Sequence, residues 1–388
     1  MSEVTQVTSV LADLVAFPSV SCRPNGEIAR YVGLRLAELG FRVVYDTHED
    51  GVRMNVIASI GPECPGGIIL SGHLDVVPAA RDRWSGDPFT LRCDGVRLIG
   101  RGAVDMKGFL ACCLTAAPDL AEGAGRLALP VHMVFTFDEE VGSVGAAQVG
   151  ICLRDLDLSP GMAIVGEPTD MRPIGSHRGI LELTTEVSGS PGHASDPRGR
   201  ANAIDIASRV ISHIGDRATA LASKPAADAP AAPPWTTLSV GRIRGGEARN
   251  IIPQSCGFDW EIRPLPGHDG VEILRDVETW IAETLLPQVL AIDPQARIET
   301  KLSANCPGLP PNPKSQALRV ISETWTREPP AAVSFATDAG YFHALGIDTV
   351  VFGPGSIARA HKPEEYITKD ELAQGLEFLA RLQTYLSA

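Results

Sequence analysis

The feature that most constrains this chain is a set of short apolar runs, NVIASI, GGIILSG, VHMVFTF and MAIVGE, each closed by turn residues. Runs of this length without polar alternation suit strands buried on both faces, and such strands need helices above and below them. The intervening segments supply helices. Residues 27–40 (EIARYVGLRLAELG) have helical spacing, and Gly40 makes a C-terminal stop. GFLACCLTAAPDLAE reads as a helix between two of the apolar runs, and FRVVYD as a further strand. The start, MSEVTQVTSVLADLVAF, lacks a basic stretch and a cleavage-like site, so it reads as an amphipathic helix and not as a signal peptide. The expected class is α/β.

The pattern changes after Arg178. ILELTTEVSG alternates strictly, as a half-exposed strand does. ANAIDIASRVISHIGDR is an amphipathic helix, and the Pro/Ala-rich ASKPAADAPAAPPW a mobile loop. TTLSVGRIRGG and NIIPQSCGFDWEIRP are strands, GVEILRDVETWIAETLLPQVL a second long helix, and ARIETKL a last strand. This β-α-β-β-α-β order is that of a ferredoxin-like unit. Beyond about residue 305 the α/β character returns with SQALRVISETW, DTVVFGPGS and KDELAQGLEFLARLQTYL. The expected organisation is a discontinuous main domain, 1–178 and 306–388, with an inserted domain over 179–305.

With 388 residues, two domains and a large core are affordable. The net charge of −13 argues against a nucleic-acid surface, which needs a basic stripe. No run of eighteen apolar residues suggests a membrane span. There are eight cysteines and no CxxC pair, and most of them read as small buried hydrophobes in a reducing cytosol.

In open α/β sheets, sites form beyond the carboxyl ends of the strands. Here those ends carry metal-type side chains: His73 and Asp75; Asp105 just before a helix; Asp138, Glu139 and Glu140; Glu167 and Asp170; and His361 past a later strand. Each alone is an ordinary turn residue. Their coincidence points to a metal site. Imidazole mixed with carboxylate, without thiolate, suits zinc, with cobalt or manganese as substitutes. With His73, Asp105, Glu140, Glu167 and His361 as ligands, three carboxylates bring −3. Two divalent ions and one hydroxide then make a neutral cluster with one carboxylate shared. Asp75, two residues from His73 on an extended chain, points the same way and can accept the second imidazole N–H. Glu139 and Glu140 project oppositely if extended, so one can bind metal while the other faces substrate as a general base. No GxSxG, P-loop, GxGxxG or HExxH motif offers competing chemistry.

Together, SGHLDVVP, GRGAVDMKG, FDEEVG, VGEPT, SGSPGHAS and GPGSIARAHKPEEY resemble the metal-dependent aminoacylase and peptidase family of the M20 type. The resemblance spans nearly the whole chain with its motifs in order. It implies a zinc-peptidase-like catalytic domain with a mixed sheet flanked by helices, and an inserted ferredoxin-like domain acting as lid and dimerisation element. It implies two zinc ions per subunit bridged by Asp105, one held by His73 and Glu167, the other by Glu140 and His361. Glu139 matches the general acid/base, and Asp75 the residue behind His73. A cis peptide is implied between Asp105 and Met106. His193 matches a histidine that the partner subunit of a homodimer lends to the oxyanion, Arg263 the anchor for the substrate carboxylate, and Asn250 a further polar contact. GHASDPRGRANAI, EIRPLPG and GPGSIARAHKPEEY resemble the acetylornithine deacetylase branch most. That branch implies a cytoplasmic enzyme of arginine biosynthesis that removes an N-acyl group from a small amino acid. A succinyl-diaminopimelate deacylase or a dipeptidase or carboxypeptidase is the alternative within the same chemistry, and a non-catalytic metal-binding assembly protein the remote one. One departure stands out: Asp338 lies where many acetylornithine deacetylases carry Glu, which shortens the reach of an acid near the substrate pocket. His177, just before the inserted segment, is a further candidate near substrate.

Overall fold

The computed structural model describes residues 2–227, 229–230 and 232–387. These divide into two compact units, one of residues 1–176, 311–332 and 337–388, the other of residues 177–310 and 333–336. The return at 333–336 is only four residues, too short to mark itself in the sequence.

The first unit is built on an eight-stranded mixed sheet. Its order is Arg42–Thr47, Met54–Ile60, Val131–Thr136, Ile68–His73, Met162–Val165, Asp348–Val351, Ile174–His177 and Ala331–Val333. The central four, Val131–Thr136 to Asp348–Val351, pair in parallel, so their carboxyl ends share one edge. Every residue of Ile68–His73, Val131–Thr136 and Met162–Val165 is buried, which is why these segments show no alternation. The main core joins this sheet, through Leu70, Met133 and Ile164, to the helices Glu3–Val15, Gly26–Glu38, Lys107–Gly123 and Lys369–Leu386. Cys112 and Cys113 are fully buried within it, and burial pushes both thiols up.

Two close approaches shape the strand ends. A Cβ on Gly166 would stand 2.0 Å from the Phe109 ring, and one on Gly353 would stand 2.3 Å from the Gly166 carbonyl oxygen. Only glycine lets the Gly166 backbone lie against the Phe109 ring and the Gly353 backbone against that of Gly166. Lys107 is buried and donates from Nζ to the carbonyls of Leu14 and Phe17, at 3.0 and 2.9 Å. It ties the end of the first helix to the segment carrying Asp105.

The second unit is a four-stranded antiparallel sheet in the order Thr237–Gly245, Ser255–Arg263, Ile180–Ser188, Arg297–Cys306, with the helices Ala203–Ala222 and Gly270–Trp280. This is the ferredoxin-like connectivity expected from the sequence. Phe258, Trp260 and Ile262 are buried against Leu183 and Val210, while Asp259, Glu261 and Arg263 face the other side. Within the loop expected at ASKPAADAPAAPPW, Asp228 and Ala231 lie outside the described residues.

Candidate metal centre

The site residues sit on the shared carboxyl edge of the parallel strands. His73 is the last residue of its strand and is 1% exposed. Its Nδ1 donates to the main-chain carbonyl of Asp75 at 2.9 Å. A carbonyl can only accept, so this bond places the proton of the neutral imidazole on Nδ1 and leaves the Nε2 lone pair facing outward. Nε2 lies 3.1 Å from Asp105 Oδ1 and 3.8 Å from Glu167 Oε1. On the other side of Asp105, Oδ2 lies 3.1 Å from His361 Nε2, which is 2.9 Å from Glu140 Oε2. The five residues therefore form two groups, His73–Asp105–Glu167 and Asp105–Glu140–His361, with Asp105 in both. The Asp105–Met106 peptide bond is cis.

Asp75 differs from its expectation. Its carboxylate lies 3.6 Å from His73 Nδ1, and the short bond to the imidazole comes from its main chain. The carboxylate instead accepts the main-chain N–H of Glu139 at 3.0 Å, that of Glu140 at 3.3 Å, and the Ser21 hydroxyl at 2.7 Å. Glu139 and Glu140 also differ: they are not extended but wound into the 3-10 turn Glu139–Val141. Asp138 before the turn has φ 53°, and Gly142 after it has φ 106°. The left-handed Asp138 is held by the Cys22 N–H at 2.8 Å and by the Arg53 guanidinium. In this turn both N–H groups point at Asp75, which apolar patterning does not encode.

The electrostatics call for cations. Burial, followed by the charge of Asp105, raises Glu167 well above the usual carboxylate range. Burial and then Glu167 do the same to Glu139, with Glu140 and Asp338 adding to it. Burial opposes charge on His73, yet Asp105, Glu167 and Asp75 hold its pKa well above the usual value. Asp105 and Glu140 raise His361 to about 10. Asp105 itself is held down against its burial by the two imidazoles. Clustered buried carboxylates that repel one another are stable as anions only with compensating positive charge. Glu167 Oε1 is buried without a hydrogen-bond partner, as a carboxylate oxygen kept for a metal would be. The donor set, two imidazoles with three carboxylates and no thiolate, fits divalent ions of the zinc type.

The remaining candidates are placed as follows. Asp338 is 1% exposed, accepts the Thr136 hydroxyl at 2.6 Å, and adds to the field on Glu139 and Glu167. His193, Asn250 and Arg263 belong to the second unit. His193 lies in the two-residue strand Gly192–His193, paired with Ile251–Ile252, and its Nδ1 is 2.7 Å from Ser195 Oγ. Asn250 is in the adjoining turn and its carbonyl accepts the Ala194 N–H at 3.0 Å. Arg263 donates to Glu261 at 3.0 Å and stays partly exposed. His177 is buried and its Nδ1 donates to the Arg178 carbonyl at 2.8 Å. Asp170, at its own strand end, instead accepts the Ser356 hydroxyl at 2.9 Å. Sequence reading passed over Ser21, Arg101 and Glu365, which brace the site segments from loops that look solvated.

An α/β sheet whose parallel strand ends gather two histidine–carboxylate groups around one shared aspartate defines an α/β protein of the two-site metal-binding class. The chain belongs to peptidase family M20/M25/M40, whose model matches residues 69–384. It is a hydrolase of linear amides. It is similar to acetylornithine deacetylase of Proteus mirabilis, 32% identical over 379 residues, covering 95% of this chain and 94% of that one. Its fold is similar to that of an M20 family metallo-carboxypeptidase from Sulfolobus solfataricus, with a TM-score of 0.77 at 18% identity and 100% of both chains covered. It is also similar to a dinuclear metal-binding peptidase of the M20 family from Bacillus subtilis, with a TM-score of 0.66 at 17% identity, covering 99% of this chain and 98% of that one. No helix among the described residues is long and apolar enough to cross a membrane.

Proposed function

We propose that this protein is a two-zinc amidohydrolase that removes the acetyl group from N-acetylornithine, releasing ornithine and acetate for arginine biosynthesis in the cytoplasm. The observation that carries the reading is Asp105, whose two oxygens each lie 3.1 Å from a different imidazole. The name of the relative from Proteus mirabilis supports the choice of substrate.

His73 and Glu167 would hold one ion and Glu140 and His361 the other, with Asp105 available to both groups. When bound, the ions polarise the scissile carbonyl and lower the pKa of the attacking water. Glu139 takes the proton of that water and returns it to the departing amine. Burial, followed by the charge of Glu167, raises the Glu139 pKa, which favours its holding the proton between uptake and release. Asp75 aims the turn that carries Glu139. His193 of the partner subunit in a homodimer donates to the developing oxyanion. The planar guanidinium of Arg263 grips the α-carboxylate, with Asn250 as a further polar contact. The inserted segment, 179–305, serves as lid and dimerisation domain.

The test is free-amine release from N-acetylornithine by zinc-loaded protein, run beside N-succinyl-diaminopimelate and a panel of dipeptides, each with a chelator control. Rapid, chelator-sensitive release from N-acetylornithine is expected. Release from dipeptides alone, by protein that holds zinc, would overturn the substrate.

A further inference from the structure

Asp105 and His361 come from segments far apart in sequence, and one buried side chain laces them together. The strand Tyr366–Thr368 pairs antiparallel with Arg97–Ile99, and the ladder continues where the Gly100 N–H donates to the Glu365 carbonyl at 3.0 Å. The Glu365 side chain then turns inward and is 1% exposed. Its Oε1 accepts the main-chain N–H groups of Val104 at 3.0 Å and Asp105 at 3.2 Å. Its Oε2 accepts from Arg101 Nη1 at 2.5 Å. Arg101 is 3% exposed and lies over the Trp84 ring, 5.2 Å from its centroid. The neighbouring Glu364, at φ 59°, faces the other way and takes the Ser85 N–H at 2.7 Å and the Arg92 guanidinium at 3.0 Å. His361 also has a left-handed φ, of 60°. The segment 361–365 thus presents His361 outward while its two acids clamp it to separate anchors.

A buried ion pair contributes little net stability, because desolvation offsets its attraction. What Glu365 gains for the fold is geometry. Two consecutive N–H groups, one of them that of Asp105, converge on a single carboxylate oxygen, which fixes the peptide plane from which the Asp105 side chain projects. We propose that Glu365 is a positioning residue that sets the reach of the shared Asp105 carboxylate toward His361. The inference rests on the reading of this cluster as a two-ion site. It predicts that Glu365, which belongs to neither ligand group, governs the affinity and ligand field of the Asp105–Glu140–His361 group.

The test is titration of the metal-free protein with cobalt(II), read by calorimetry and by the visible absorption of the bound ion. Glu365→Ala removes the acceptor, and Glu365→Asp withdraws it by one methylene. Both are expected to weaken the second cobalt ion by about 10- to 100-fold and to shift its absorption band, as loss of a ligand-orienting partner does. Glu365→Gln keeps an acceptor oxygen and is expected to restore the affinity to within about threefold. In steady-state assays kcat should fall while KM holds. Wild-type affinity and spectrum in the alanine and aspartate variants would overturn the inference, even if their melting temperatures fell. So would a glutamine variant as impaired as the alanine one, since the effect would then follow the Arg101 charge. If Glu365→Ala does not fold, the aspartate and glutamine pair decides alone. A wild-type protein that binds no second cobalt ion would instead defeat the two-ion reading itself.

Discussion

The carboxylate of Asp75 receives the main-chain N–H of Glu139, Oδ1 lying 3.0 Å from that nitrogen, while the main-chain carbonyl of Asp75 receives the proton of His73 Nδ1. One residue thus orients a metal-type imidazole with its backbone and the turn carrying Glu139 with its side chain. The two duties can be separated by mutation.

Asp75→Asn leaves the backbone carbonyl in place, so His73 keeps its tautomer. The amide cannot accept two N–H groups and the Ser21 hydroxyl as the carboxylate does. The expected result is a loss of about 10- to 100-fold in kcat with zinc content unchanged. Assays paired with elemental analysis decide it: activity that merely tracks lost zinc would show that the side chain serves His73 after all.

Glu139→Gln removes the proposed proton acceptor and keeps the shape. Turnover should fall by about two to four orders of magnitude while both ions stay bound. Burial and then Glu167 raise the Glu139 pKa, and its working form is the anion. The wild-type rate should therefore climb with pH through that pKa, and the acid limb should vanish in the variant. An unchanged limb in Glu139→Gln would assign it to another group.

The two groups differ in exposure. His73, Asp105 and Glu167 are all buried, whereas the His361 side chain is 52% exposed. A chelator should remove metal in two phases, the faster from the His361 group, and His361→Ala should retain one ion per chain. Single-phase loss of both ions in the wild type would show the groups to be equivalent.

His132 supplies a pH effect away from the site. It is 2% exposed, bonded to Ser59 at 2.9 Å, and burial lowers its pKa to about 4. The unfolded chain binds this proton more readily than the folded one, so stability present above pH ~6.5 drains away as pH falls toward about 4. Between pH 7 and 5 the wild type should lose about 2 kcal/mol more than His132→Gln in urea unfolding. Parallel losses in the two proteins would remove His132 from the acid response.

The strand ends were legible because burial on both faces leaves unbroken apolar runs whose termini stand out. The β-α-β-β-α-β segment was legible from its alternation, as at Phe258, Trp260 and Ile262. The helix Val144–Asp155 was not, because its glycines dilute the apolar stripe over VGAAQVGICLRD. Nor was the turn at Glu139, since a left-handed aspartate such as Asp138 leaves no mark in hydropathy. Glu365 and Arg101 resemble solvated loop charges in sequence, and only the tertiary fold shows that each buries the other.

The strand order also fixes how the protein is made. Asp348–Val351 lies between Met162–Val165 and Ile174–His177, so the large sheet cannot close until the ribosome has passed residue 351. By then residues 178–347 (170 of them) have been synthesised in between, which at 5–20 residues per second takes roughly ten to thirty seconds. Throughout that interval the nascent chain carries an open seam beside Met162–Val165, with the His73–Asp105–Glu167 triplet already translated and His361 still to come.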